Sequence, residues 1–510
     1  MTASSPISQK LSLFVIALIG ILYHFISTYG YTMDDALITL RYSLNFGTSG
    51  LPIWNQADVT HPTMGFTSPL WMVINSIQVL FTDNKDTIVI VSKFWSLAFL
   101  LAFTYFIVSI IQEQQIPFLK KSIYTALLMW NPVFAFHVSS GMETIFFSSA
   151  LSLYAILIIR FENHYKVLIG FGLLLFFIRP EGILALGVFW TYDLFVKRDY
   201  KKSFLSALII WSILLSYFYA VYSFYGYPLP SAFYVKQGGG SLLKAAAIKM
   251  TAVFILLSAL PFIINIIAQY KHIQLKKEFF ILAFLSIFFL FYLTVEPLMN
   301  IIYRYQMPLL FLLTLFFALH LKTFDSLPKV FQYFIIAYIT FLIIFNTGLS
   351  NKYASKVSQA DDNLRTIGLF FKEHTNQNDW LTYHDAGYVC YYSDINSIDS
   401  MGLNTIDIAI GAKTYIDYLK DEKLTYVLQN GQTNDLNEID TSSLALEHGF
   451  EYLGAIPMSY DGIEYYVVKV YQRNGSISSE QLSTIQADIK IRKTWFDDLY
   501  YFGRNLIKNR

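Results

Sequence analysis

The residues of this chain that are able to do chemistry stand beside apolar runs. Asp34 and Asp35 are adjacent in "YGYTMDDALITLRYSLNF", directly after the first such run, and Arg41 follows in the same stretch. Glu143 lies in "SGMET", Arg179 and Glu181 flank the proline of "RPEG", and Tyr303 and Arg304 lie in "IIYRYQMP". Charges at the ends of apolar helices are costly unless they are paired or open to a polar cavity, so these groups are expected to converge on one cavity. A carboxylate pair can take the proton of an acceptor hydroxyl, and guanidinium groups can hold a departing phosphate. The chemistry that fits is sugar transfer from a lipid-linked phosphosugar, whose tail confines the reaction to the bilayer surface.

Each position also has a plainer reading. The acid doublet can simply open a helix, because "TMDDALITLRYSLNF" has the apolar spacing of a short helix lying flat on the membrane, with the acids in its first turn. Arg41 then serves the site or only neutralises the doublet. Arg179 and Glu181 are either ligand groups or an ion pair capping two broken helices. Arg304, at the start of a helix, suits a phosphate clamp, with Tyr303 beside it. Glu143 either faces the site or caps the helix that begins near Ser140 or Gly141. Thr67, Ser68 and Trp71 in "FTSPLW" line a sugar pocket or form an ordinary helix start with proline in the first turn. His61 is an acceptor contact or a plain loop histidine. Asp385 in "HDAGYVCYYSD" reads as structural.

Composition sets the class in which this chemistry must work. The 510 residues are 55% hydrophobic, 18% aromatic and 14% charged, and the mean hydropathy is +0.44. That is too apolar for an ordinary soluble protein. A net charge of +1, with no basic cluster interleaved with stacking aromatics, gives no reason to invoke nucleic acid. The single cysteine, Cys390, has no partner for an internal disulfide. Nothing has the spacing of a zinc site, a phosphate-cradling loop or a nucleophile elbow.

A membrane-spanning helix needs about 20 apolar residues, and about eleven runs qualify or come close, near residues 11–29, 87–111, 123–138, 144–159, 167–178, 183–196, 203–223, 246–268, 279–294, 307–321 and 330–347. The pair around "RPEG" is short, as broken segments are. Lysine and arginine gather in alternate loops, at Lys10, Lys120/Lys121, Arg160/Lys166, Lys197 to Lys202, Lys271 to Lys277 and Lys322/Lys329. By the positive-inside bias these loops and the N-terminus are cytoplasmic. The acid doublet, "SGMET", "RPEG", "VEPLMNIIYRYQ" and everything after about residue 350 are then outside. The first run lacks a cleavage site and reads as an uncleaved anchor.

From Asn351 the chain turns polar, with strand-like runs "WLTYH", "INSID", "TYVLQ" and "EYYVVKVY" and helical segments such as "DNLRTIGLFFKEH". The expected architecture is mostly α: a polytopic membrane domain over residues 1–350 and a small extracytoplasmic α/β domain over 351–510. "QGGGS" at 237–241 reads as a flexible loop, and the final "IKIRKTWFDDLYYFGRNLIKNR" as an interfacial or a solvated helix.

In order, "DDALITLRYSLNF", "LPIWNQADVTHPTMGFTSPLW", "SGMETIFFSSAL", "RPEGILAL", "YGYPLPSAFYVK", "IYRYQMPLLFLL" and "HDAGYVCYYSDINSIDSMGLNT" resemble the GT-C superfamily of integral membrane glycosyltransferases. The nearest branch is that of the terminal β-(1→2) arabinofuranosyltransferases and their Gram-negative relatives. The resemblance runs from about residue 29 to residue 405. It implies an inverting transferase of the inner membrane that uses a polyprenyl-phosphate sugar, with arabinofuranose favoured, and a glycan or pilin-like protein as acceptor. An acidic residue of the first outer loop is the usual base in such enzymes, which here means Asp34 or Asp35, with Asp34 favoured and Asp35 orienting it or the acceptor. Arg304, Arg179, Arg41 and Tyr303 would bind the donor phosphate, and Glu143, Glu181, His61, Thr67 and Trp71 the substrates. His61 departs from the acidic or polar residue expected at its place. Some branches use a divalent cation and others none, so a cation is compatible with the acid pair without being required. A ligase or polymerase of lipid-linked glycans would carry one long basic outer loop and no early acid doublet. A transporter would show inverted repeats and mid-membrane charges, and these charges stand at helix ends.

Overall fold

The computed structural model describes residues 6–485 apart from 58–61, 162–163, 237–242, 273–274, 298, 377, 432–442 and 461–462. His61, the glycine-rich loop and the final basic-aromatic stretch therefore lie outside the described residues. The chain begins with helix α1 (Pro6–Thr28), followed by α2 (Asp34–Ser49), α3 (Pro69–Ile77) and α4 (Lys85–Glu113). Next come α5 (Phe118–Met129), α6 (Pro132–Ser139), α7 (Thr144–Arg160), α8 (Tyr165–Ile178), α9 (Gly182–Tyr192) and α10 (Tyr200–Tyr225). After α11 (Ser231–Lys236), α12 (Ala245–Phe254) and α13 (Leu260–Ala268) form one span through a π-helical turn before Pro261. The set closes with α14 (Leu275–Tyr292), α15 (Met307–Leu319), α16 (Leu321–Ser326) and α17 (Lys329–His374).

Among the described residues, six helices or helix pairs are long and apolar enough to cross a membrane: Pro6–Thr28, Lys85–Glu113, Tyr200–Tyr225, Ala245–Ala268, Ile301–Leu319 and Lys329–His374. The protein is a multi-pass membrane protein. The eleven apolar runs all fall on helices, with two adjustments. The run near 123–138 is split into α5 and α6, because Asn131 caps a new helix with its side chain on the Val133 N–H and Pro132 occupies the first helical position. The last run does not end near 347: α17 continues for 46 residues, about 69 Å at 1.5 Å per residue, more than twice the hydrocarbon thickness of about 30 Å.

The end of α17 enters an α/β domain whose five strands are β1 (Trp380–Tyr383), β2 (Asn396–Asp399), β3 (Leu424–Gly431), β4 (Glu451–Tyr460) and β5 (Ile463–Gln472). The sheet order is β2-β1-β3-β5-β4. β1 is parallel to β2 and β3, and β5 is antiparallel to β3 and β4. The central strands are buried on both faces, and Phe371 of α17 packs edge-on against Tyr426 of β3 at 5.3 Å between ring centroids. Four strands fall on the expected runs. Edge strand β4 does not, because Gly454, at φ 153°, Pro457 and two register shifts break its alternation. An edge position is where a sheet tolerates proline and irregular backbone.

A helix between β1 and β2, α18 (Tyr388–Ser393), docks the domain on the bundle. Arg41 of α2 donates from Nε to the Trp54 carbonyl at 2.9 Å and from Nη2 to the Ile395 carbonyl at 2.8 Å, and Nη1 reaches the Cys390 carbonyl. Lys85 of α4 binds the Tyr391 carbonyl and Asp394. The Tyr392 hydroxyl donates to Asp86 at 2.8 Å, and Arg365 of α17 pairs with the same carboxylate. The bonds of Arg41 satisfy a buried guanidinium that would be costly if left unpaired.

Candidate active site

Four segments bring ionisable side chains together where the bundle meets the domain. The first is the N-terminus of α2. Lys93 of α4 donates to the Tyr29 and Tyr31 carbonyls at 2.7 and 2.9 Å, fixing the turn from α1. Asp34 and Asp35 then open α2, where the helix dipole favours negative charge. The second segment is the turn before α7, where Gly141 adopts φ 74°. The third is the break between α8 and α9 at Arg179–Gly182. A Cβ on Gly182 would lie 2.3 Å from the Leu175 carbonyl carbon, so the two helices close together only over a glycine. The fourth is the 3-10 segment Ile301–Gln306 before α15.

Arg304 Nη1 donates to Asp35 Oδ2 at 3.1 Å, and its Nη2 lies 3.8 Å from Glu143 Oε1. Arg179 Nε lies 3.7 Å from the same Glu143 oxygen and 2.8 Å from Glu181 Oε1. Glu143 thus sits between two guanidinium groups. It makes no capping bond to the helix that starts at Thr144, so its carboxylate serves the cluster. Both arginines retain a buried N–H with no protein partner, Nη1 of Arg179 and Nε of Arg304. Buried donors without partners are uncommon, and two of them in one cluster form an anion-ready pair.

The two aspartates have different surroundings. Asp35 is committed to Arg304. Asp34 turns toward the domain, accepting the Gly387 N–H at 3.0 Å and the Tyr388 N–H at 2.9 Å. Burial, and after it the neighbouring Asp385 carboxylate, pushes the Asp34 carboxyl up to about 7 against the two amide bonds that favour its charged form. A carboxyl with that pKa exchanges protons near neutrality, as a general base must. Asp385 therefore lies close enough to Asp34 to favour its protonated form.

Other expected positions lie elsewhere. Arg41 is spent on the domain's backbone carbonyls, with its guanidinium 4.3 Å over the Trp54 ring, and leaves no fork for a phosphate. Trp71 is buried to 1% exposure, donates from Nε1 to the Gly141 carbonyl at 3.2 Å and packs near Phe146, so it supports the turn before Glu143 and offers no face to a sugar. Tyr303 is buried with its ring 5.7 Å from Phe254. Thr67 lies half-buried in the turn before α3, which starts at Pro69 as an ordinary helix start does.

Sequence reasoning did not single out Ile302, His137, Asn300, Gly387 or Tyr388. Ile302 and Tyr303 hold left-handed backbone at φ 42° and φ 62°, a strained conformation for an isoleucine above all. His137 of α6 donates from Nε2 to the Ile302 carbonyl at 2.8 Å, and Asn300 accepts the Tyr305 N–H at 2.9 Å, so the strain is held from both sides of Arg304. A lone histidine in the apolar "PVFAFHVSS" gives no functional signal. Gly387 and Tyr388 could have been suspected only from the "DAG" turn.

For a divalent cation the fit is poor. Both Asp34 oxygens accept amide N–H groups, Asp35 is bound to Arg304, and among the described residues no group of three or more His, Cys, Asp or Glu is placed to hold a metal.

The fold of this bundle, with an α/β domain seated over the acids, is found in solved structures. ArnT from Cupriavidus metallidurans has a similar fold in two crystal structures. The apo form is 10% identical with a TM-score of 0.56, covering 91% of this chain and 98% of that one. The form bound to undecaprenyl phosphate is 11% identical with a TM-score of 0.58, covering 90% and 97%. Residues 351–484 match a domain of unknown function, DUF8728. No curated protein matches the chain by sequence.

Proposed function

We propose that this protein is an inverting glycosyltransferase that moves a sugar from a polyprenyl-phosphate donor to an acceptor hydroxyl at the outer face of the inner membrane. The observation that carries the reading is the juxtaposition of an amide-held carboxyl, Asp34, with two buried arginines that keep unspent donors. Asp34 removes the proton of the acceptor hydroxyl. The oxygen attacks the anomeric carbon from the face opposite the phosphate, and the C–O bond to the phosphate breaks. Arg304 and Arg179 take up the charge on the leaving polyprenyl phosphate, which is strongest as that bond breaks. Glu143 and Glu181 hold the arginines, and Asp35 aims Arg304. The shared fold with an ArnT that holds undecaprenyl phosphate in one crystal structure supports a donor of this lipid class. The order of motifs supports arabinofuranose as the sugar, and the lysine and arginine bias supports the outer face. Residues 351–510 form the extracytoplasmic domain in this reading, and the acceptor is a surface glycan or a pilin-like protein.

The test offers purified protein in nanodiscs polyprenyl-phosphate arabinofuranose, mannose and glucose, with wild type and Asp34→Asn compared. Wild-type turnover of one donor that the variant loses is the expected outcome. A folded wild type that turns over none of them sinks the reading and shifts weight to en bloc glycan ligation.

A further inference from the structure

A cavity of about 750 Å³ opens between the end of α10, the chain after α2 and the α/β domain. None of Asp34, Asp35, Glu143, Arg179 or Arg304 lines it, so it is separate from the acid-arginine cluster. Its volume falls within the usual range for ligand sites, about 300–1,000 Å³.

The lining indicates the class of ligand. Its ionic groups balance, Asp407 and Asp421 against Lys413 and Lys423, and the Lys413 ammonium is 3.2 Å from Asp407. No excess of cations awaits a phosphate here. Aromatic rings line it from both sides, Phe224 and Tyr227 at the end of α10 and Trp380 at the start of β1, and Phe224 is 37% exposed. The Lys423 ammonium lies 4.5 Å from the Trp380 ring. Between them stand neutral polar groups such as Thr63 and Thr405. Rings that accept C–H faces, amid side chains that both donate and accept hydrogen bonds, fit a neutral compound with many hydroxyls.

The cavity is linked to the helix that Asp34 opens. The Tyr42 hydroxyl of α2 donates to the Thr63 carbonyl at 2.7 Å, and Thr63 lines the cavity. Tyr42 lies eight residues along α2 from Asp34, about 12 Å of helix at 1.5 Å per residue. A short oligosaccharide spans that distance.

We propose that this cavity binds a neutral oligosaccharide, the non-reacting part of a glycan acceptor whose terminal hydroxyl extends to Asp34. Binding stands on the cavity alone, whereas its service to transfer rests on the transferase reading. The probe is a glycan array of unphosphorylated arabinofuranosyl, mannosyl, rhamnosyl and glucosyl oligosaccharides beside uronic-acid and phosphorylated ones, read with full-length protein in nanodiscs. Retention of neutral oligosaccharides is expected. Tyr227→Ala and Lys423→Met should weaken it at least 10-fold with thermal unfolding unchanged, and Arg304→Ala should leave it intact. Retention by wild type with no donor turnover supports the cavity and removes the transferase reading. Three outcomes overturn the proposal: no neutral oligosaccharide retained at millimolar concentration, preference for the anionic set, or undiminished retention by both folded cavity variants.

Discussion

Gly387→Ala is a small change whose effect can be worked out from the geometry around Asp34. Gly387 has φ −70° and ψ −79°, near conformations open to alanine, so the substitution carries no left-handed backbone penalty. The cost is steric. The new methyl would lie 2.2 Å from Asp34 Oδ1, 2.4 Å from its Cγ and 2.3 Å from its backbone oxygen. Ordinary heavy-atom contacts lie at about 3.5–4.0 Å, so more than about 1 Å must be recovered. Rotating the carboxylate does not recover it, because the backbone oxygen is struck as well. Either α18 or the first turn of α2 retreats, and the Gly387 and Tyr388 amide bonds to Asp34 lengthen or break. Overpacking of this kind costs about 1–3 kcal/mol of stability, and misplacing a reacting group by about 1 Å costs about 100-fold in rate. The expected result is a folded protein whose kcat with the polyprenyl-phosphate donor falls about 100-fold while its donor KM changes little. Turnover measured beside thermal unfolding in the same nanodiscs decides it. A folded variant with wild-type kcat would mean that the amide pair does not position the base.

Four further outcomes follow from the same geometry. With Asp34 as the proposed base its ionised form is the active one, and since its pKa is raised to about 7, the rate should fall about tenfold per pH unit below about 7 and level off above it; a profile flat down to pH 5 removes Asp34 as the base. The same raised pKa gives a stability contribution that is full below the unfolded value of about 4 and is lost as pH rises through about 7, and Asp34→Asn should abolish that slope in pH-dependent unfolding. Arg304→Lys replaces a fork with a point charge and should raise donor KM about tenfold or more, and unchanged donor affinity by titration would rule Arg304 out as the phosphate clamp. His137→Ala deletes the bond that holds Ile302 in left-handed backbone, a bond of about 0.5–1.5 kcal/mol; donor KM should rise about 3- to 10-fold, with His137→Asn recovering part of it, and equal KM values in both variants would show that His137 only fills space.

Features governed by local periodicity were legible in the sequence. The first turn of α2 and the break at "RPEG" follow from apolar spacing, acids and a proline, whereas α7 starts at Thr144 and not near Ser140 or Gly141, because Gly141 takes left-handed backbone. The partners of those residues were not legible. Arg41 has the spacing of a helix neighbour of the acids, but spacing says nothing of carbonyls nearly 350 residues downstream. Trp71 looks like a sugar platform until the Gly141 carbonyl is found on its indole N–H. The amide pair on Asp34 comes from a different domain, and the left-handed backbone at Ile302 and Tyr303 contradicts local preference, so neither leaves a trace in composition. The polarity change at Asn351 marks where α17 loses its apolar surroundings, and helical backbone has no reason to stop there.

The unbroken course of α17 makes the α/β domain an extension of a membrane helix, joined without a hinge. A rod that shares a bilayer and a domain passes tilt from one to the other. Thinning or thickening the hydrocarbon layer changes helix tilt at a cost of fractions of a kcal/mol per Å, and here that tilt is carried to α18 and so to the amides that hold Asp34. If Asp34 is the base, as proposed, it is thereby mechanically coupled to the thickness of the membrane, and turnover in nanodiscs of graded acyl length should show a maximum that Gly387→Ala no longer shares.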